Sequence, residues 1–589
     1  MSLSNILNVS KQGILASQGT LQTISHNIAN VNTPGYSRQR VDLESSQSPQ
    51  SPTSTNGVRI GDLRQQLDQL VDRRMELGTG ELGRLETQDH YLQLVEHVFN
   101  TLESQGLDQR LSAFFDAADH LADNPGNTVA RYQLVANGDA LAREFNTMQA
   151  ALSEKSLPLD KEIDVTLADI NSRLKDLQTI NQVISRNNAT NPALDLKDKR
   201  RQMVLELGKL IDVRTMEKDN GDLQVMTASG QELLADEHSS ATFARSPSVT
   251  ATGFQGIRIG DREIPSERIQ GGRLKGLLEL RDQVIHGPNG VATQLDLLAG
   301  EIRFQVNQVH SQSASKGLVT SITSGMALGN DLLDTPMTDL VTDPTSANYQ
   351  QAPVDLRRIQ DGTIFFATGP NGDTLKALNA VNIIKNMNLK EVINAFNEVE
   401  GLSAKIDEND NKLKISSKTQ GEKIAVISDR TGLLAALGMG ALFGGTGAAD
   451  MRVNPDLLKN SDLLAMGRLN VDSLTAPTKV SFDDTNSRGA LELGNLRATR
   501  IQLFKDNATL TGHYANMVGE LGAKVKQNKE SLTAQDAAQS FIADVRESIS
   551  GVSLEEELTD LMRFQRAFQA SSKMVGVADE LMQTIIQMV

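Results

Sequence analysis

The sequence predicts a multidomain α plus β chain. Terminal heptad helices and a helical-bundle domain carry inserted β-rich outer domains, in a nested topology. Three observations lead there. Apolar residues at both ends alternate gaps of three and four, the spacing of a helix that buries one narrow seam. Helical periodicity fills the stretches just inside those ends. Short β-like runs lie innermost, giving the order helix, helix, β, helix, β, helix, helix. The simplest path runs out through successive domains and returns. The chain has 589 residues, enough for about three or four domains.

At the N-terminus Leu3, Leu7, Ser10, Ile14, Ser17, Leu21, Ile24, Ile28 and Val31 form the seam, and Lys11 is the single charge before Arg38. A helix this poor in charge has no ordinary solvent face, so its stability must come from packing. "HNIANVNTPGYSRQ" (26–39) ends it. Pro34 disfavours helix in the residue before it, and Pro34-Gly35 suits a type II turn. "SSQSPQSPTSTN" (45–56) reads as a polar linker.

Helical stripes follow to about residue 215: Leu92, Val95, Phe99 and Leu102; then Leu141, Phe145, Met148 and Leu152; then Ile163, Leu167, Ile170, Leu174, Leu177 and Ile184, interrupted by Asn181. From about 222 to 270 short runs alternate with Gly and Asp turns. Helix returns after Gly271-Gly272, with Leu295, Leu298, Ile302, Val306 and Val309 on one face. Residues 316–484 are mixed. There Asn388 and Glu391 predict a capping box, and Ala404, Ile406, Leu413 and Ile415 alternate through a hairpin. Helix resumes near 487. The last helix opens on a Ser553–Glu556 capping box with three glutamates that favour the macrodipole. Its seam is Leu561, Phe564, Phe568, Ser571, Val575, Ala578, Met582, Ile585 and Val589.

The expected units are therefore 1–64 with 541–589 (terminal coiled coil), 65–221 with 271–315 and 486–540 (helical bundle), 222–270 with 316–345 and 454–485 (β-rich outer domain), and 346–453 (an α+β insert).

Composition and motifs argue against chemistry. A net charge of −16 disfavours nucleic acid and anionic membrane as partners. No cysteine is present, which excludes disulfides and thiolate metal sites. Residues 1–25 lack a basic region followed by an apolar one, so no cleavable secretory signal is expected. The uncharged stretch Thr431–Ala449 holds six glycines and reads as a short buried helix and a loop rather than a membrane span, so no membrane insertion is expected. "GTGELG" (78–83) follows a helix-like segment, whereas a dinucleotide loop needs a strand. "DENDN" (407–411) has Lys412 and Lys418 where a calcium loop needs Gly and Glu. His90 and His97 lie two helical turns apart and cannot share a zinc ion. No catalytic residue, cofactor or metal site is expected, and the chain does not read as an enzyme.

The two ends carry a resemblance. "LSNILNVSKQGILASQGTLQTISHNIANVNTPGYSRQRVDL" resembles the N-terminal signature of the bacterial flagellar axial proteins, the rod, hook and hook-associated family. "SGVSLEEELTDLMRFQRAFQASSKMVGVADELMQTIIQM" resembles the matching C-terminal signature. "GGRLKGLLELRDQVIHGPNGVATQLDLLAGEIRFQVNQVHSQSASKG" is similar to the internal helical segment of the hook–filament junction members, and "RGALELGNLRATRI" to their return into that domain. Residues 361–439 look like the "IN" motif of flagellins and hook-associated proteins.

The resemblance implies a structural protein exported uncleaved by the flagellar type III route to an extracellular position between hook and filament. It implies a ring of about eleven copies. The implied partners are the chain itself, the hook protein, the second junction protein and an export chaperone at the C-terminal region. A hook protein, a second junction protein or an adhesin on the flagellum are the alternatives. The residues expected to carry assembly are Leu21, Ile24, Asn27, Ile28, Asn30, Asn32, Thr33, Pro34, Gly35 and Tyr36, with Leu558, Leu561, Phe564, Phe568, Val575, Met582 and Ile585.

Overall fold

The structure, a computed structural model, describes every residue except 1–2, 49–50, 100–105, 188–192, 219–220, 236–238, 251–252, 316–318, 329, 341–355, 357, 371–376, 472–479, 482, 484 and 589. Leu102 and Val589, placed on seams above, lie outside the described residues.

The chain opens with helix α1 (Leu3–Ala29) and an antiparallel hairpin of β1 (Gln39–Ser48) and β2 (Ser51–Gln65). Helices α2 (Gln69–Phe99), α3 (Leu107–Asp123), α4 (Thr128–Asn187) and α5 (Leu194–Leu210) follow. Two small antiparallel sheets come next: β3 (Arg214–Glu217), β4 (Leu223–Met226) and β5 (Glu232–Leu234), then β6 (Phe243–Val249), β7 (Gln255–Ile259) and β8 (Arg262–Ile264). Helix α6 (Gly272–Glu279) runs into a π-helical turn, Leu280–Ile285, before α7 (Val291–Ser311). The outer part holds β9 (Ser321–Thr323), α8 (Asn330–Asp334), β10 (Gly362–Gly369), β11 (Ala377–Ile383), α9 (Leu389–Glu398), β12 (Leu402–Ile406), β13 (Leu413–Ser417), β14 (Lys423–Asp429) and α10 (Leu433–Ala436). Its two sheets run β11-β10-β14 and β12-β13-β9. The return passes through β15 (Phe443–Gly444), β16 (Arg452–Val453), α11 (Pro455–Lys459), β17 (Asn470–Val471), β18 (Val480–Ser481) and α12 (Arg488–Asn495). It ends in α13 (Leu510–Ser550) and α14 (Leu554–Met588).

Local chemistry accounts for these elements. The apolar stripes of 141–152 and 163–184 both fall on α4 and are buried. Asn181, which interrupts them, is buried at no cost in unpaired groups: its Nδ2 donates to the Leu223 carbonyl (2.8 Å), and its Oδ1 accepts from Arg200 (3.0 Å). Asn388 and Glu391 complete the capping box of α9, each side chain bonding the other's backbone N–H. In the β12–β13 hairpin Ala404 pairs with Ile415 and Ile406 with Leu413. The GTGELG glycines lie within α2, where they serve helix packing: a Cβ on Gly83 would collide with the Lys209 carbonyl oxygen of α5.

One expectation fails here. Of residues 45–56, read as a linker, 45–48 and 51–56 belong to strands β1 and β2, and 49–50 lie outside the described residues. Ser, Pro and Thr carry little apolar pattern, whereas the ladder that orders this segment is made by backbone groups, which composition does not display.

The described apolar side chains gather into two main cores. The first runs from Leu92 to Val309 and resumes from Leu442 to Leu521. It includes Val225, Leu234, Phe243 and Ile257, so β3–β8 pack on the helical bundle. Strands of three to seven residues have too little surface to bury one another. The second core takes Phe304 and residues between Leu328 and Met439. Helix α7 joins them, with Leu298, Ile302 and Val306 in the first core and Phe304 in the second. Its polar side chains pin the same joint. Asn307 accepts from Leu442 N and Phe443 N (3.0 and 2.9 Å) and donates to the Phe443 carbonyl (2.8 Å). His310 donates from Nδ1 to the Gly440 carbonyl (2.5 Å) and accepts at Nε2 from Ala465 N (3.1 Å).

Helices α2 and α13 pack together, and α1 packs against α14 on one side and the hairpin on the other. Helix α13 is continuous through residue 540, and the break before α14 falls at Gly551–Ser553.

Candidate assembly site

Three separate stretches of chain meet around the N-terminal motif. The type II turn forms as its residues dictate: Tyr36 N donates to the Thr33 carbonyl (3.2 Å), and Gly35 takes φ +79°. This turn points Tyr36 and Asn27 at each other. The Tyr36 hydroxyl donates to Asn27 Oδ1 (2.8 Å) and accepts from His26 Nδ1 (3.0 Å). Asn27 Oδ1 also accepts from Gln39 N (3.1 Å), while its Nδ2 donates to the Gln39 carbonyl (2.9 Å) and to Glu557 Oε2 of α14 (3.1 Å). Asn27 and Glu557 are each 1% exposed, so this amide–carboxylate contact is a buried one.

Arg38 closes the cluster from outside. It reaches Glu557 Oε1 at 2.7 Å, Glu556 at 2.5 Å and Asp560 at 3.8 Å, and its N–H donates to the Ser550 carbonyl at the end of α13 (2.8 Å). Burial pulls the Arg38 pKa down, but the two glutamates more than offset that and hold it above its ordinary value. Burial, followed by the carboxylates of Asp195, Asp198 and Glu557, pushes the Tyr36 phenol well above its usual range, which keeps it a donor.

The third stretch is α5. Ser37 N donates to Asp198 Oδ2 (3.0 Å), Arg201 donates to Ser37 Oγ (3.1 Å), and Gln39 Nε2 donates to Asp195 (2.7 Å). Burial raises the Asp198 pKa, and the Ser37 N–H and Arg201 draw it part of the way back. Arg546 of α13 adds a bond to the Gly35 carbonyl (3.3 Å) and an ion pair with Asp72 (3.4 Å).

The structure places the expected assembly residues unevenly. Ile24, Asn27 and Tyr36 are buried; Leu21, Ile28, Asn30 and Gly35 are half-buried; Asn32, Thr33 and Pro34 are exposed. On α14, Leu561, Phe564, Phe568 and Val575 are half-buried and face α1 along with Ser571 and Ala578. Leu558, Met582 and Ile585 are exposed. Leu558 lies one position past Glu557 and so turns off the seam, a matter of helical phase. Met582 and Ile585 overhang the described start of α1.

Sequence reasoning missed Glu557, Asp195, Asp198, Arg201 and Arg546. The three glutamates of Glu555–Glu557 were visible only as a favourable first turn. Nothing in a linear pattern marks which of them faces inward.

The family profile described as "Flagellar hook-associated protein FlgK helical domain" matches residues 92–318. A second, "Flagellar basal body rod FlgEFG protein C-terminal", matches residues 546–588. Over almost its whole length the chain is similar to the flagellar hook-associated proteins. It is 23% identical to flagellar hook-associated protein 1 of Salmonella typhimurium over 595 residues, covering 99% of this chain and 100% of the relative. To the Bacillus subtilis protein of the same name it is 24% identical, covering 98% and 97%. Its fold is similar to the flagellar hook junction protein FlgK of Burkholderia pseudomallei, with a TM-score of 0.52 at 14% identity, over 81% of this chain and 100% of that one. Members of this family are structural components of the flagellum, not enzymes. Among the described residues no helix is long and apolar enough to cross a membrane.

Proposed function

We propose that this protein assembles as a closed ring at the hook–filament junction and adapts the hook to the filament. One observation carries the reading: α14 lays a half-buried seam on α1 yet keeps two apolar rows exposed, the second running into the free end of the seam at Ile585. Leu554, Leu558 and Met562 form one row, and Val577, Leu581 and Ile585 the other, with Met574 beside it. At about 100° per residue, Leu558 and Leu581 point about 140° apart around the helix. Two different patches on one element suit head-to-tail contacts, in which each copy meets two neighbours through unlike surfaces. Such contacts close into a ring, for which the family resemblance suggests about eleven copies.

The terminal unit, made of α1, the hairpin and α14, would form the inner wall. The helical bundle and the outer part would lie outside it. The hook protein and the second junction protein are the axial partners in this reading, and an export chaperone takes the C-terminal region before assembly. The assembly residues are those of the seam and turn, together with the two exposed rows.

The test is to purify Leu558→Glu and Leu581→Glu and to express each in a strain deleted for the gene. Both sites are exposed, so melting should stay within about 0.5 kcal/mol of the parent. Electron microscopy should show hooks without filaments. Full filaments from both variants would overturn the reading. Intact filaments in the deletion strain itself would favour an adhesive role instead.

A further inference from the structure

Two contacts define how α1 and α14 line up. Asn27 bonds Glu557, and Gly13 meets Ser571 so closely that a Cβ on Gly13 would lie 2.8 Å from Ser571 Oγ and 3.5 Å from its Cβ. Gly13 and Asn27 are fourteen residues apart, as are Ser571 and Glu557, so the helices run antiparallel with both seams in step over two heptads. This alignment sets residue 581 opposite Leu3 and leaves Met582 and Ile585 exposed beyond it.

Apolar burial by itself would favour another alignment. Both seams repeat every seven residues, so sliding α14 by one heptad, about 10 Å, keeps seam against seam. In one direction the slide brings Ala578 opposite Gly13, and Met582 and Ile585 onto α1. Chain length does not forbid it. The first two turns of α14, residues 554–560, bury only Glu557 and half-bury Asp560, so unwinding them forfeits little apolar contact and releases the connection. What the slide does cost is the polar cluster. Phe564 would stand opposite Asn27, and the Asn27–Glu557 hydrogen bond and the ion pairs of Arg38 with Glu556 and Glu557 would be lost, with buried groups left unpaired.

We propose that Asn27, with Glu557 and Arg38, is the register-determining residue of the terminal helix pair: it enforces the alignment that buries less apolar surface. The consequence is that the last two turns of α14 stay free for a neighbouring copy of the chain. That consequence rests on the assembly reading above, whereas the register itself does not.

The chain contains no cysteine, so a pair introduced into it reads out the register without background. Gly13→Cys with Ser571→Cys reports the observed alignment, because a 3.5 Å Cβ separation lies in the disulfide range. Gly13→Cys with Ala578→Cys reports the alignment slid by one heptad. Both pairs are made in the purified full-length chain, oxidised, and read on non-reducing gels, where an intramolecular bridge is distinguished from a dimer by mass. The first pair should close within one chain and the second should not.

Adding Asn27→Leu should raise closure of the second pair relative to the first by about tenfold, the factor expected from losing one well-made buried hydrogen bond. Glu557→Gln keeps an acceptor for Asn27 and should preserve the parent pattern. If Asn27→Leu fails to fold, Glu557→Leu removes the same bond from the other helix and is read instead. A parent-like ratio in whichever folded variant is read would overturn the proposal, even if the exposed rows prove essential for filaments. A shifted ratio upholds it, even if they do not.

Discussion

Gly35 holds φ +79° in the turn that aims Tyr36 at Asn27, and a Cβ there would lie 3.6 Å from Gln202 Oε1. Space is therefore adequate, and strain comes from the backbone. Gly35→Val should cost about 1–3 kcal/mol in each copy, because a β-branched residue resists positive φ. Thermal melting of the purified variant, alongside filament counts in a complemented deletion strain, checks this; a parent-like melt with full filaments would refute it. His310 is a second single-residue case. Burial lowers its pKa from 6.5 to about 4, with the Gly440 carbonyl opposing. As a neutral ring it donates on one side and accepts on the other, and protonation would set an N–H against the Ala465 N–H. A folded pKa below the unfolded one means that stability is complete above pH 6.5 and is lost as pH falls towards 4. The loss at pH 4 amounts to about 3 kcal/mol. Buried carboxylates such as Asp212 and Asp296 have raised pKa values and act in the opposite sense, so the parent must be compared with His310→Asn. Denaturant unfolding at pH 7 and pH 4 should show this loss in the parent and not in the variant.

At the scale of elements, the α1–α14 pair is held by a thin seam. Gly13, Ser17, Ser571 and Ala578 bring the helices close but contribute little apolar area, so the few large residues matter more. Phe568 is half-buried against α1, while Lys573 is exposed. Phe568→Ala should therefore weaken the pair by about 1–3 kcal/mol, and Lys573→Ala by under about 0.5 kcal/mol. Hydrogen exchange of the α1 amides in the two variants provides the measurement. Equal protection in both would mean that the seam is not what holds α1.

For the whole molecule, the two cores meet along α7. Phe396 is fully buried in the second core, against Phe366 at a centroid distance of 5.6 Å. Phe396→Ala should remove about 3–5 kcal/mol from that core. Exchange should accelerate across β10–β14 and α9 while the amides of α3 and α4 keep the parent's rates. Uniform acceleration throughout would show that the cores unfold as one unit.

The sequence by itself determined the helices with strong period, the α9 capping box, the β12–β13 hairpin, the turn at Pro34-Gly35 and the family resemblance of both ends. Each rests on neighbours within a few residues, where spacing and backbone preference act directly. It also determined that α1 and α14 carry heptad spacing, because spacing is a local property, but not that Gly13 and Asn27 are the α1 residues that meet α14. Tertiary structure alone decided that 45–48 and 51–56 are paired strands, that the small sheets share the bundle's core, and that Glu557 turns inward while Leu558 turns out. It also decided that Asn27 meets Glu557, Tyr36 and Gln39, and that Ser37 and Gln39 dock on Asp198 and Asp195. Those outcomes depend on groups far apart in the chain. A heptad pattern repeats without naming its own register, so only the buried polar partners, brought together by the fold, select one.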